Sequence, residues 1–259
     1  MNNITYIIPF KGSNKDRLAN LEFHLYLLFN IAKFPFQYII VEQDKTSQLT
    51  KLLNQYPQIK HIFFQTDKAF RKSVLINCGV KYSTTENIIF SDCDTVFHPC
   101  VVKKAIKDLM NFGVIGFQTC YYLTSLATKQ LRVNKNIELL HHKMAVDKKR
   151  HTYLGGALTI MRKNSFWKIK GFNENFAGWG YEDAEFQHRC FKMIKFKFLS
   201  EPVWHMSHSN KNQNIRHIEH NSNLRNSIKL MEQENLENHL NQIDITTLGR
   251  SDFFDHAMF

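Results

Sequence analysis

The chain has no cysteine pair at the Cys-x-x-Cys spacing, and its five cysteines (Cys78, Cys93, Cys100, Cys120 and Cys190) are odd in number. That excludes a zinc ribbon, argues against a disulfide framework, and suits a reducing compartment. No apolar run approaches the ~20 residues needed to span a bilayer. The start, Met1-Asn2-Asn3-Ile4, has no signal-peptide character and leads directly into a strand-like run. The expectation is a cytoplasmic protein, with peripheral contact at the inner face of the membrane left to its basic surface. No internal repeat and no clear linker is visible. Lysines are scattered rather than packed into one run, so the net charge of +11 does not choose among nucleic acid, an anionic membrane and anionic small molecules. No RNP, KH or helix-turn-helix pattern is present, so a nucleic-acid partner is not expected.

What is present is a globular composition: 43% hydrophobic residues and 22 Phe in 259 residues, enough for one large α/β domain. Strand-like runs at Ile4–Phe10, Gln37–Glu42, His61–Gln65 and Ile88–Ser91 alternate with helical spacing over 18–31, 47–56 and 70–82. This alternation predicts a parallel sheet with helices on both faces, and a ligand beyond the carboxyl ends of its strands. Further on, 101–111 reads as a helix and Val114–Thr119 as a strand. From 121 to 150 the pattern is weak, and an irregular, partly helical excursion is expected. Short elements follow at 159–161 and 164–169, a clear helix at Glu182–Met193, and strands at 197–199 and 203–206. Residues 223–241 fit one amphipathic helix.

The most informative feature is the run Asn87-Ile88-Ile89-Phe90 ending in Ser91-Asp92-Cys93-Asp94. In extended backbone, residues i and i+2 face the same way, so two carboxylates there call for a cation. An oxygen-rich site suits Mg²⁺ or Mn²⁺ shared with substrate phosphates. An acidic cluster, Gly178-Trp179-Gly180-Tyr181-Glu182-Asp183, comes later, followed by His205 and His208. Glu182 and Asp183 stand at a helix start, where the dipole favours anions and keeps Asp183 ionised.

Six segments in order resemble the β-1,4-galactosyltransferases and similar chondroitin-polymerase-like bacterial transferases of the GT-A class. Asp92-Cys93-Asp94 resembles the DxD motif, and Ile8-Pro9-Phe10 the opening Ile-Pro-Phe. Phe70-Arg71-Lys72-Ser73-Val74-Leu75-Ile76-Asn77-Cys78-Gly79 is similar to Phe-Asn-Arg-x-x-x-Leu-Asn-x-Gly. Tyr153-Leu154-Gly155-Gly156 resembles Tyr-Phe-Gly-Gly, and Gly171-Phe172-Asn173 with Gly178–Asp183 resembles Gly-Phe-x-Asn…Gly-Trp-Gly-Gly-Glu-Asp. His205-Met206-Ser207-His208-Ser209 is similar to the segment that ligates Mn²⁺. Lys72 replaces the family's Arg, Ala184 its third acidic residue, and His205 a Met of animal members.

The resemblance implies a GT-A fold over 1–210, with a Rossmann-like UDP-binding half (1–120), an acceptor half (121–210) and a C-terminal helical extension (211–259). It implies inverting transfer of galactose or N-acetylgalactosamine from a UDP-sugar to a glycan hydroxyl, in bacterial surface polysaccharide or lipooligosaccharide synthesis. Asp94, His208 and His205 would hold Mn²⁺ or Mg²⁺; Asp183, beside Glu182, would be the base. Pro9, Phe10, Lys11, Arg17, Phe70, Lys72, Asp92, Tyr153, Gly156 and Trp179 would surround the donor. The partners are thus a UDP-sugar and a glycan; the oligomeric state is left open. The main alternative is a haloacid-dehalogenase-type phosphatase, since Asp92-Cys93-Asp94-Thr95-Val96 fits DxDxT[VL] with Asp92 as nucleophile. That motif normally opens its domain, however, whereas three βα units precede it here. A basic RNA-binding protein and a non-catalytic sugar-binding relative are further readings; intact Asp94, Asp183 and His208 argue against the second.

Overall fold

The computed structural model describes residues 3–12, 14–140, 146–209 and 217–250, without the side chains of 151–153. The strands are β1 (Ile4–Phe10), β2 (Gln37–Asp44), β3 (Ile59–Gln65), β4 (Asn87–Ser91), β5 (Thr95–Val96), β6 (Val114–Leu123), β7 (Val146–Tyr153), β8 (Leu158–Arg162), β9 (Phe196–Leu199) and β10 (Val203–His205). The helices are α1 (Lys15–Tyr26), continued by a π-helical turn over Leu27–Ala32, then α2 (Thr50–Leu53), α3 (Lys72–Tyr82), α4 (Pro99–Asp108), α5 (Ser125–Asn134), α6 (Lys163–Lys168), α7 (Glu182–Met193), α8 (Ile218–Leu230) and α9 (Gln233–Asn241).

The strands form one ten-stranded sheet of order β3-β2-β1-β4-β8-β6-β10-β5, with β7 and β9 also paired to β6. Strands β3, β2, β1 and β4 are parallel, as the βα alternation predicts. The sheet is mixed rather than parallel throughout, because β8 inserts antiparallel between β4 and β6. All seven residues of β1 are buried, which is why it reads as an unbroken apolar run rather than an alternating one. Asn14 caps α1 by accepting from the Arg17 N–H (2.9 Å), and Leu21 and Leu25 bury its inner face.

Two sequence expectations need correction. The stretch 121–150 is partly helical, as expected, but among its described residues it is more regular than expected: β6 runs to Leu123, Thr124 caps α5, and Val146 opens β7. Helix α5 buries only Ala127, Thr128 and Leu131. Strand β7 pairs only with β6 among the described residues, and its charged residues 147–150 are exposed. Neither element therefore carries a hydrophobic period. The single C-terminal helix is two, broken where Met231 and Glu232 adopt extended backbone. The bend lets Leu236 and Leu240 join Ile228 in one apolar cluster with Met193. Lys192 Nζ donates to the Lys229 and Met231 carbonyls freed at the end of α8.

Candidate active site

A cleft of about 1010 Å³ opens at the carboxyl ends of β1 and β4. Strand β4 stops at Ser91, and residues 92–94 turn, with the Thr95 N–H donating to the Asp92 carbonyl (3.2 Å). The turn cancels the two-residue alternation expected of extended backbone. Asp92 and Asp94 therefore point to different partners instead of sharing one cation.

Asp94 is 1% exposed and faces two imidazoles. His205 Nε2 lies 3.0 Å from its Oδ1, and His208 Nε2 lies 3.2 Å from its Oδ2. On the far side of each ring, His205 Nδ1 is 2.9 Å from the Met206 carbonyl and His208 Nδ1 is 3.3 Å from the Ser209 carbonyl. Carbonyls only accept, so each Nδ1 carries a proton, and in a neutral ring the Nε2 then turns a lone pair toward a carboxylate. That arrangement is repulsive unless a proton or cation intervenes. Asp94 Oδ1 is buried and has no well-directed hydrogen bond among the described residues. Burial works against the charge of Asp94, but His205, Arg17 and His208 more than offset it and hold the carboxyl well below its usual range. Burial opposes a proton on both histidines; Asp94 outweighs it at His205 and not at His208. One carboxylate oxygen and two imidazole nitrogens within 4.8 Å of one another fit a divalent cation of intermediate softness.

Neighbouring segments fix this triad. The Met206 N–H donates to the Asp94 carbonyl (2.8 Å), and the Ser207 N–H to Thr128 Oγ1 on α5 (2.8 Å). From α1, Asn14 and Asn20 donate to the Ser209 and Ser207 carbonyls (2.9 and 3.1 Å).

On the other side of the cleft, buried Lys72 joins two carboxylates. Its Nζ is 2.8 Å from Asp92 Oδ1 and 3.0 Å from Asp183 Oδ1. Asp92 Oδ2 also accepts from the Ala157 N–H (3.1 Å). The Gly178-Trp179-Gly180-Tyr181 loop ends in left-handed backbone at Tyr181 (φ 72°), which swings Glu182 and Asp183 into the cleft at the start of α7. Gly155, at φ 100°, packs so closely there that a Cβ would sit 2.8 Å from the Asp183 carbonyl oxygen. Burial pushes Glu182 up to about 7, helped by the charge of Asp183. Burial also raises Asp183, with Lys72 opposing. Beside the helix dipole, desolvation is the largest influence on Asp183, and Lys72 supplies the compensating charge.

Residues 138–221, about a third of the chain, match the family described as the N-terminal domain of galactosyltransferase. S. aureus TarS 1–349, solved with UDP-GlcNAc, superposes with a TM-score of 0.57 at 14% identity, over 91% of this chain and 69% of that one. This is a GT-A fold. The longer S. aureus TarS chain gives the same TM-score and identity over 91% of this chain. The catalytic domain of Drosophila β1,4-galactosyltransferase 7, solved with xylobiose, gives 0.45 at 14% identity over 78% of this chain. The present chain spans 65% of that Drosophila domain and 41% of the longer TarS chain. No curated protein matches it in sequence.

Within this GT-A cleft lie Pro9, Lys11, Arg17, Phe70, Lys72, Asp92, Asp94, Trp179, Glu182, Asp183, His205 and His208. Phe10 does not line it: its ring is fully buried in the main core. Gly156 is buried and also absent from the wall. The Tyr153 side chain lies outside the described residues. Lys11 Nζ donates to the Lys68 carbonyl (2.9 Å), and burial lowers its pKa. Trp179 is 42% exposed, so its face is open to the cleft rather than packed in the core. Sequence reasoning missed Tyr122, Lys148, Arg150 and Gln187, which line the same cavity. The one available signal was the alternation of Lys148 and Arg150 in a strand with no apolar face.

Proposed function

We infer that the chain transfers a sugar from a UDP-sugar to a glycan hydroxyl with inversion. The observation that carries this reading is the opposition of two devices across one cleft: the Asp94–His205–His208 triad and the Asp183–Lys72–Asp92 group. Asp94, His205 and His208 would hold Mn²⁺ or Mg²⁺, which when bound neutralises the charge developing on the departing diphosphate. Asp183 accepts the proton of the acceptor hydroxyl as its oxygen attacks the anomeric carbon. The bond from that carbon to the diphosphate oxygen breaks, and UDP leaves on the opposite face. Lys72 keeps Asp183 charged against desolvation, while the exposed face of Trp179 receives sugar C–H groups. The proposed donor sugar is galactose or N-acetylgalactosamine, and the proposed setting is bacterial surface polysaccharide or lipooligosaccharide synthesis at the cytoplasmic face of the membrane.

The phosphatase alternative has less support. Its nucleophile, Asp92, has one oxygen on Lys72 and the other on the Ala157 N–H.

The test is a UDP-sugar panel (galactose, N-acetylgalactosamine, glucose and N-acetylglucosamine) with UDP release followed with and without Mn²⁺. Mn²⁺-stimulated release from a galacto-configured donor is expected. Asp183→Asn should lower kcat at least ~10²-fold and leave UDP affinity nearly unchanged. Unaltered turnover in that variant removes Asp183 from the role. Release from none of the donors, together with p-nitrophenyl phosphate hydrolysis, restores the phosphatase reading.

A further inference from the structure

The cleft has a third charged feature outside the triad and the Lys72 ion pairs, one member of which, Arg150, also favours the charged form of Asp183 across the cleft. Strand β7 places Lys148 directly opposite Tyr122 of β6, and Arg150 two residues along on the same face. Both cations lie over the Tyr122 ring, Lys148 Nζ at 4.6 Å and Arg150 Cζ at 5.4 Å from its centroid. Tyr122 itself stacks on His205, with ring centroids 4.7 Å apart and planes 22° apart. All three residues line the cleft, and both cationic side chains are exposed. Among the described residues neither forms an ion pair; Asp147, also at the rim, pairs with neither.

Lysine on an exposed edge strand commonly serves only to block edge-to-edge pairing. That explains Lys149, which alternates to the other face over Tyr121 (5.5 Å). It does not explain two cations brought over one ring in the wall of a cleft, where like charges on one face repel unless an anion joins them. The strand order sets this wall apart from the end of the sheet that carries β1 to β3, and Tyr122 joins it to His205 of the triad. Lys11 follows β1 and Phe70 follows β3, whereas β7 pairs with β6, beyond β4 and β8 in the strand order.

Resting on the transferase reading, the geometry points to a more specific substrate: the acceptor carries an anionic group, a carboxylate or a phosphate, which Lys148 and Arg150 engage at the rim beside Tyr122. Arg150 offers a planar fork to either anion, and Lys148 a point charge. The hydroxyl to be glycosylated then faces Asp183 from the side opposite UDP.

Direct binding keeps this test independent of turnover. With UDP and Mn²⁺ present, affinities are measured by calorimetry for methyl β-D-glucoside, methyl β-D-glucuronide and glucose 6-phosphate. The wild-type protein should bind one of the two anionic sugars roughly tenfold more tightly than the neutral one. Which one does so tells carboxylate from phosphate, and the preference should shrink as salt rises from 0.05 to about 0.5 M. Lys148→Gln/Arg150→Gln should abolish the preference and leave UDP affinity unchanged. Equal affinity for all three sugars, or a preference that survives in the double variant, overturns the proposal. So does an equal fall in UDP affinity, which would assign these cations to the donor diphosphate. If UDP itself fails to bind the wild-type protein, it is the transferase reading that falls.

Discussion

Replacing Lys72 by methionine isolates one electrostatic argument. The ammonium lies 2.8 Å from Asp92 and 3.0 Å from Asp183, with Glu182 beside them. Methionine keeps the length of the stem and removes the charge. Removing one partner of a buried ion pair costs about 3–5 kcal/mol, because the remaining charge is left uncompensated. The two aspartates keep 23% and 24% of their side-chain surface, so the lower end applies, about 3 kcal/mol at pH 8. For a chain of this size that is roughly a 6–12 °C fall in Tm. The sign of the pH dependence follows. Without the ammonium, the folded-state pKa values of Asp183 and Glu182 rise further above their unfolded values, and Glu182 already stands at about 7. A carboxyl raised on folding favours the fold when protonated, and that contribution is lost as pH climbs through the folded value. The Lys72→Met deficit should therefore be small near pH 5 and full at pH 8, with Lys72→Arg close to wild type at both. Thermal unfolding at the two pH values measures it. A deficit of equal size at pH 5 and pH 8, or none at pH 8, refutes the reasoning.

Asp94→Ala and His208→Ala should each cut Mn²⁺-dependent UDP affinity roughly tenfold or more while leaving metal-free UDP binding alone, as read by calorimetry; undiminished Mn²⁺ dependence in both would dissolve the triad. Gly155→Ala forces a Cβ against the Asp183 carbonyl in left-handed backbone, so kcat should drop about 10²-fold with little change in the KM for donor; normal kcat would mean the loop yields freely. Glu174 is buried, accepts from Asn77 (2.7 Å) and Gly249 (2.6 Å) at Oε1, has no partner at Oε2 among the described residues, and is raised to about 7 by burial. The wild-type protein therefore loses stability as pH rises through 7. Glu174→Gln should recover about 2–3 kcal/mol at pH 8 and nothing at pH 5 in urea unfolding, and an equal change at both would show that the carboxyl does not titrate there.

Many residues lining this cleft were legible in the sequence, because they sit in rare local patterns. Asp92-Cys93-Asp94 at a strand end, Glu182-Asp183 after paired glycines, and His205 with His208 three residues on are each unusual. What stayed hidden depends on direction rather than identity. The turn at 92–94 sends the two aspartates apart, which no spacing rule reveals. Lys72 is one lysine among many until α3 brings it between Asp92 and Asp183. Phe10 follows a proline in a loop-like context, yet its ring turns inward. Strand β7 has a charged face toward water and a charged face toward the cleft, so it has no hydrophobic signature. The bend at Met231 is dictated by where Leu236 and Leu240 find Ile228, a tertiary demand that the amphipathic pattern alone does not encode.

The C-terminal helices do more than follow the domain. From α8, the Asn221 amide donates to the carbonyls of Ala177 (2.9 Å) and Gly180 (3.0 Å), the two ends of the loop that presents Trp179. That loop has left-handed glycines at 178 and 180 and little to stiffen it from within. Besides the Gly178 N–H bond to the Phe70 carbonyl (2.9 Å), its posture is thus borrowed from a helix some forty positions downstream. A polypeptide trimmed at residue 210, where the motifs run out, would keep every residue proposed for chemistry and lose the brace on the loop that carries Trp179.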